Sequence, residues 1–189
     1  MKTKNVVLAL IIMLSGNILL AQKVDVNTKK STVEWLGKKI GGQHKGNIQL
    51  KSGSLELKND KIEAGNFVID MTTIKNTDLK DEEYNQKLVG HLKSDDFFGV
   101  EKYPTANFVV TKSSKFSDGK ATINGDITIK GKTEGISFEV VRSGNEYSTK
   151  IDIDRSKFDV RYGSDSFFDN LGDKAIDDIF TLNIKLIVN

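Results

Sequence analysis

The side chains in this sequence that could do chemistry are few. They are His44, His91, Ser94, Arg155 and the run of Asp165, Asp169, Asp173, Asp177 and Asp178. His91 and Ser94 stand one helical turn apart, and a histidine beside a serine raises base and nucleophile. No G-x-S-x-G elbow surrounds Ser94, and that spacing near a helix end places a base poorly on a nucleophile. A zinc site needs three or four ligands from cysteine, histidine and carboxylate; the chain has 2 histidines and no cysteine. The aspartates miss the spacing of a calcium-binding loop and read as a solvated acidic connection. Glycine-rich phosphate cradles are absent. With 26 acidic residues, no carboxylate pair is singled out for glycoside cleavage. No metal, cofactor or catalytic group is therefore expected.

The remaining polar candidates each have two readings. Arg155 either pairs with Asp152 or Asp154, or meets a lipid phosphate through its two-pronged guanidinium. His91 is a hydrogen-bonded pivot at a helix end or a ligand contact. His44 falls on an apolar strand face, at the mouth of whatever that strand encloses. Lys93 and Ser94 satisfy loose carbonyls where a helix ends, or face an acidic head group.

The elements that must position these groups are mostly strands. From Lys23 onward the hydrophobic period is two. Ala121, Ile123, Gly125, Ile127 and Ile129 alternate with Thr122, Asn124, Asp126, Thr128 and Lys130; Phe180, Leu182, Ile184, Leu186 and Val188 alternate with Thr181, Asn183 and Lys185. One dry and one wet face is the habit of antiparallel sheets. Turn signals divide the runs at Gly41-Gly42, Ser52-Gly53, Asn59-Asp60, Asp118-Gly119, Lys130-Gly131 and Ser143-Gly144-Asn145. About eight strands with hairpin-length links suit an up-and-down barrel or a sandwich. Two segments break the pattern. Asp81 to Leu92 has Tyr84, Leu88, His91 and Leu92 at helical spacing behind three acids. Tyr162 to Ile179 is a long connection with a helical turn expected around Gly172 to Ile176, and long connections in compact domains are often functional.

Residues 1–21 read as a secretory signal peptide: Lys2 and Lys4, an apolar run from Val6 to Leu14, then Ala21 before the cut. The Ser15-Gly16-Asn17 break leaves no stretch of about 20 apolar residues, which a membrane span needs. The mature chain, 22–189, is expected in a periplasm or outside the cell, as one domain. Loss of Lys2 and Lys4 from the 28 basic residues leaves as many basic as acidic side chains, so the mature charge is zero. No basic patch marks nucleic acid as a partner.

Three stretches carry a resemblance. The first is His91-Leu92-Lys93-Ser94 with Asp96-Phe97-Phe98 and Tyr103-Pro104-Thr105-Ala106-Asn107-Phe108. The second runs from Asn124 to Gly131, and the third is Asp154-Arg155-Ser156-Lys157-Phe158. Together they make the stretch from about Lys23 to Asn189 resemble the YceI-like family. Members commonly have Gly-Ile where Asp159-Val160 stand here, and an Arg-Asp pair where Lys87 to Gly90 stand. Those departures bear on ligand details and leave the fold expectation intact. The resemblance implies an all-β, eight-stranded antiparallel lipocalin-like barrel with a helical insert. It also implies an apolar interior that binds a polyisoprenoid or similar long amphiphilic lipid.

Closing such a sheet leaves an interior just wide enough for side chains or one slender ligand. The expected ligand-binding residues are Trp35, His44, Ile48, Phe67, Ile69, Met71, His91, Phe97, Phe108, Ile127, Phe138, Ile151 and Phe180. Small inward residues, Gly46, Ala106, Ala121 and Gly125, are expected to leave room for a tail. Paired Phe97-Phe98 and Phe167-Phe168 are expected as gates, or as packing of helix and loop onto the barrel. Burying one five-carbon isoprene unit yields roughly 4 kcal/mol, at about 0.8 kcal/mol per carbon. Two rival classes stand beside the lipid carrier. One is a barrel hydrolase or isomerase acting on a small apolar substrate with His91 or His44 as base. The other is an interaction module docking through the acidic loop.

Overall fold

The computed structural model describes residues 21–189. All of the expected signal segment except Ala21 lies outside the described residues. One antiparallel sheet of nine strands curls on itself. In chain order the strands are β1 (Gln22–Asp25), β2 (Thr32–Lys39), β3 (Gly42–Lys58), β4 (Lys61–Asn76), β5 (Thr105–Ser113), β6 (Lys120–Ile129), β7 (Lys132–Ser143), β8 (Glu146–Asp154) and β9 (Ile179–Ile187), with the helix α1 (Glu82–Lys93) between β4 and β5. Strands β2 to β9 close a ring, because β9 pairs with β2 and β3 pairs with β4. Both β1 and β2 lie on one edge of β3, at Val24↔Leu55 and Val33↔Ile48, so they are one strand interrupted at 26–31. The architecture is the expected eight-stranded barrel, with one extra strand and one helix.

The alternation closes the barrel because each strand has a dry side. On β6, Ala121, Ile123, Ile127 and Ile129 are buried while Thr122 and Asp126 are exposed. Tight hairpins set the registers. At Asn59-Asp60, Asp118-Gly119 and Lys130-Gly131 both central residues have positive φ, the turn whose twist matches that of the flanking strands. Asp81 caps α1 by accepting from the Tyr84 N–H at 3.0 Å, and Glu82 and Glu83 follow at the positive end of its dipole. At the other end the Ser94 N–H donates to the Gly90 and His91 carbonyls, the capping role that is one of the two readings of Ser94. The expected turn near Gly172 is a short 3₁₀ helix, Gly172–Lys174.

One turn expectation fails. Ser52-Gly53 does not end a strand but lies within β3, where the register slips between Leu50 and Ser52. Before that bulge the buried residues are Gly46, Ile48 and Leu50; after it the inward positions change parity and Leu55 is buried. A second irregularity in β4 lets both Met71 and Ile74 point inward. Side chains hold it: Asp70 Oδ1 accepts from the Thr72 N–H at 3.0 Å, and Thr73 Oγ1 accepts from the Gln49 N–H at 2.9 Å.

Of the small inward residues, Ala106 lines an interior chamber, while Gly46 and Gly125 do not leave the expected room. A Cβ on Gly46 would sit 1.7 Å from the Lys75 carbonyl oxygen, and one on Gly125 would sit 2.3 Å from Phe108 Cζ. Chain and ring have moved into the space the missing side chains leave. Gly46→Ala is expected to cost about 2–3 kcal/mol, because the obstructing atom is backbone and cannot rotate away. Urea titration measures it, and a cost below about 0.5 kcal/mol would show that β3 and β4 yield freely here.

Candidate ligand-binding interior

The barrel interior holds two apolar chambers in tandem. The capped chamber, about 110 Å³, lies under α1, the 94–104 segment and the 160–178 connection. Its walls include Trp35, Ile48, Ile69, Met71, Phe97, Ile127 and Phe180. The inner chamber, about 80 Å³, has Phe67, Ile69, Phe108, Ile127, Phe138 and Ile151 in its walls. Ile69, Ile127 and Leu182 belong to both, so a partition of three aliphatic side chains divides the space. The interior is neither a solid core nor an open tube.

Of the thirteen residues expected to bind, eleven line a chamber, while His44 and His91 line neither. His44 sits at the rim, with Nδ1 3.4 Å from Asp78 Oδ2. Asp78 also accepts from the Asn76 side-chain amide and from the Lys45 N–H. Burial pushes the Asp78 carboxyl up, but its bonds to Asn76 and the charge of His44 outweigh this and hold it below its ordinary value. The cluster ties the end of β3 to the 77–79 turn. His91 stands edge-on to Phe97 and Tyr162, with ring centres at 5.1 and 4.3 Å. These rings pack against its imidazole, and Nε2 lies 3.8 Å from Asp96 Oδ2. Ser94 Oγ donates to the His91 carbonyl oxygen at 2.7 Å, so serine and imidazole form no nucleophile–base pair.

Arg155 departs from both expectations for it. Its partners are neither Asp152 nor Asp154, and its guanidinium is 3% exposed. Nε donates to Asp177 O at 3.1 Å; the remaining nitrogens donate to Val160 O, Tyr162 O and Ile176 O, each at 2.8 Å. The fifth N–H side faces Asp178 Oδ1 at 3.3 Å, an ion pair without hydrogen-bond alignment, and that oxygen has no other partner. Burial pushes the Arg155 pKa down, against the opposing charges of Asp178, Asp154 and Asp177. Four of the five N–H groups are spent on carbonyls of the 160–178 connection and the fifth side faces Asp178, so Arg155 fastens that cap and has no fork left for a phosphate.

The two phenylalanine pairs divide. Phe97 and Phe98 line the capped chamber, beneath Arg155 and beside Phe180. Phe167 and Phe168 are exposed on the outer surface of the connection. Leu55, Ile62, Ile74 and Ile176 also line the chambers and were not among the expected residues. Leu55 and Ile74 lie just past bulges that reverse parity. Their period-two signal was legible only within the shorter pieces on either side. No group of three or more histidine, cysteine or acidic side chains gathers as a metal site among the described residues.

A closed antiparallel barrel around tandem apolar chambers, capped at one end by a helix and a pinned loop, defines a lipocalin-like barrel protein. The chain belongs to the YceI-like family, whose domain model matches residues 24–188. A UPF0312 protein of Pseudomonas putida is 28% identical over 123 residues, 65% of this chain and 62% of that one. A UPF0312 protein of Vibrio parahaemolyticus is 31% identical over 106 residues, 54% and 52% of the two chains. The matches thus span less than two thirds of these relatives' lengths. Among solved structures, BcnA of Burkholderia cenocepacia superposes with a TM-score of 0.67 at 25% identity, over 87% of this chain and 99% of the other. A polyisoprenoid-binding domain from Saccharophagus degradans superposes with a TM-score of 0.59 at 12% identity, over 88% and 97%.

Proposed function

We propose that this protein is exported and holds a long, slender amphiphile, of the polyisoprenoid class, with its tail in the barrel. The observation that carries this reading is the pair of apolar chambers end to end, with a partition of only three aliphatic side chains. A methyl-branched chain suits them, because each buried carbon contributes about 0.8 kcal/mol and needs no polar partner. A tail long enough to use both chambers must turn Ile69, Ile127 and Leu182 aside. Binding of this kind needs no catalytic group. The bond of Ser94 Oγ to the His91 carbonyl oxygen, in place of one to the imidazole, favours a binder over the hydrolase alternative. The polyisoprenoid-binding neighbour and the family membership support the same ligand class.

The expected result is that protein purified from its native host without detergent releases a prenyl-chain amphiphile into organic solvent, identified by mass spectrometry. Trp35 is the 1 tryptophan of the chain and lines the capped chamber. Its emission should therefore shift when geranylgeraniol, a twenty-carbon prenyl alcohol, is added to delipidated protein. No extracted amphiphile and no change in Trp35 emission would overturn the reading.

A further inference from the structure

The wall of the barrel is not sealed all round. The ladder between β7 and β8 has three pairs, Val141↔Ser148, Arg142↔Tyr147 and Ser143↔Glu146, and then stops. Each strand is fully paired on its other side: β7 with β6 from Ile129↔Lys132 to Lys120↔Val141, and β8 with β9 from Glu146↔Ile187 to Asp154↔Ile179. The two strands therefore run on intact but diverge from one another past their shared hairpin. Their far ends are bridged again, by the turn Arg155–Phe158 against β7 and by Lys132 Nζ at 3.8 Å from Asp159 Oδ1. Between hairpin and bridge lies a seam. One clasp crosses it, where Thr149 Oγ1 donates to the Glu139 carbonyl oxygen at 2.6 Å.

The seam joins two spaces. Inside it is the inner chamber; outside it is a groove of about 580 Å³ on the barrel's outer face. Ser148, Thr149 and Ile184 line both. Backbone edges that lack a ladder partner part more readily than paired ones. By contrast, the capped end is fastened by four hydrogen bonds and an ion pair from Arg155.

We propose, building on the lipid-holding reading, that this seam is a lateral binding site. The apolar tail lies between β7 and β8 and enters the inner chamber, while a small uncharged head stays in the outer groove. Charge decides the head: the groove lining carries two acids, Glu34 and Glu139, and two bases, Lys150 and Lys185. Glu139 and Lys185 are themselves paired with Lys120 and Glu146, so the groove has no net field to draw an anion. Thr149 and Asn183 supply neutral donors and acceptors there.

The test exploits a chain without cysteine. Thr149→Cys is labelled with a polyethylene-glycol maleimide, and Asp126→Cys, on the unbroken outer face of β6, serves as control. Loading of geranylgeraniol is followed by Trp35 emission. Labelling at 149 is expected to slow loading about tenfold or more, and labelling at 126 to leave it within about twofold. Bound geranylgeraniol should also protect the cysteine at 149, but not that at 126, from the maleimide. Ser148→Cys replaces Thr149→Cys if the latter does not fold. Equal loading rates without protection would overturn the lateral site while leaving the lipid-holding reading intact. No loading by the unsubstituted protein would overturn both.

Discussion

Arg155→Ala is expected to destabilise the protein by about 3–5 kcal/mol, the cost of removing one partner from a buried ion pair. The change leaves four carbonyl oxygens of the 160–178 connection without their donor. It also strands Asp178 Oδ1, a buried oxygen that Arg155 alone compensates. Some of those groups will find water once the cap loosens, which argues for the lower part of the range. Lysine at this position keeps the charge but has three N–H groups where the guanidinium has five. Arg155→Lys should therefore fall between alanine and the natural residue. Urea unfolding followed by circular dichroism measures both, and limited proteolysis should show earliest cutting within 160–178. An alanine variant within about 1 kcal/mol of the parent would show that the cap does not depend on this side chain.

Ile127→Trp is expected to weaken geranylgeraniol binding by about a hundredfold or more. Ile127 is 5% exposed and stands in the partition between the chambers. An indole there projects into both spaces and denies a tail its passage between them. One lost isoprene unit removes roughly 4 kcal/mol of gross burial, more than the roughly 2.7 kcal/mol that a hundredfold change represents. Overpacking itself costs about 1–3 kcal/mol of stability, partly offset because the new ring fills existing space. The measurement is retention of radiolabelled geranylgeraniol through gel filtration, since a second tryptophan would confuse the emission of Trp35. A folded variant that retained the label as well as the parent would place the tail elsewhere.

Much of the architecture was legible in the residues because it is local. Alternation along β6 and β9 states which side of each strand is dry. The acids behind Asp81 mark where α1 starts, and paired turn residues such as Asp118-Gly119 place the hairpins. Local signals of this kind depend on a strand's own pleat or a turn's own φ values, which a short stretch of chain controls by itself.

The site was legible only in outline. Period-two patterning selected ten of the eleven expected residues that line a chamber, all but Phe97, because facing inward is what the pattern encodes. It put His44 at the mouth but could not show its Asp78 partner, nor the packing of His91 against the rings of Phe97 and Tyr162. Nor could it show that Gly46 and Gly125 are filled by Lys75 and Phe108, or that Ser52-Gly53 bends a strand instead of ending it. Arg155 was read against its chain neighbours, yet the connection it fastens returns some twenty residues later, as its bond to Ile176 shows (a separation of 21). By itself, then, the sequence determined the strands, the hairpins, the helix and the inward faces. Tertiary structure alone decided where the β7–β8 ladder ends, how the interior divides into chambers, and what Arg155 holds. Those features depend on cross-strand register and on contacts between distant segments, which exist only once the ring has closed.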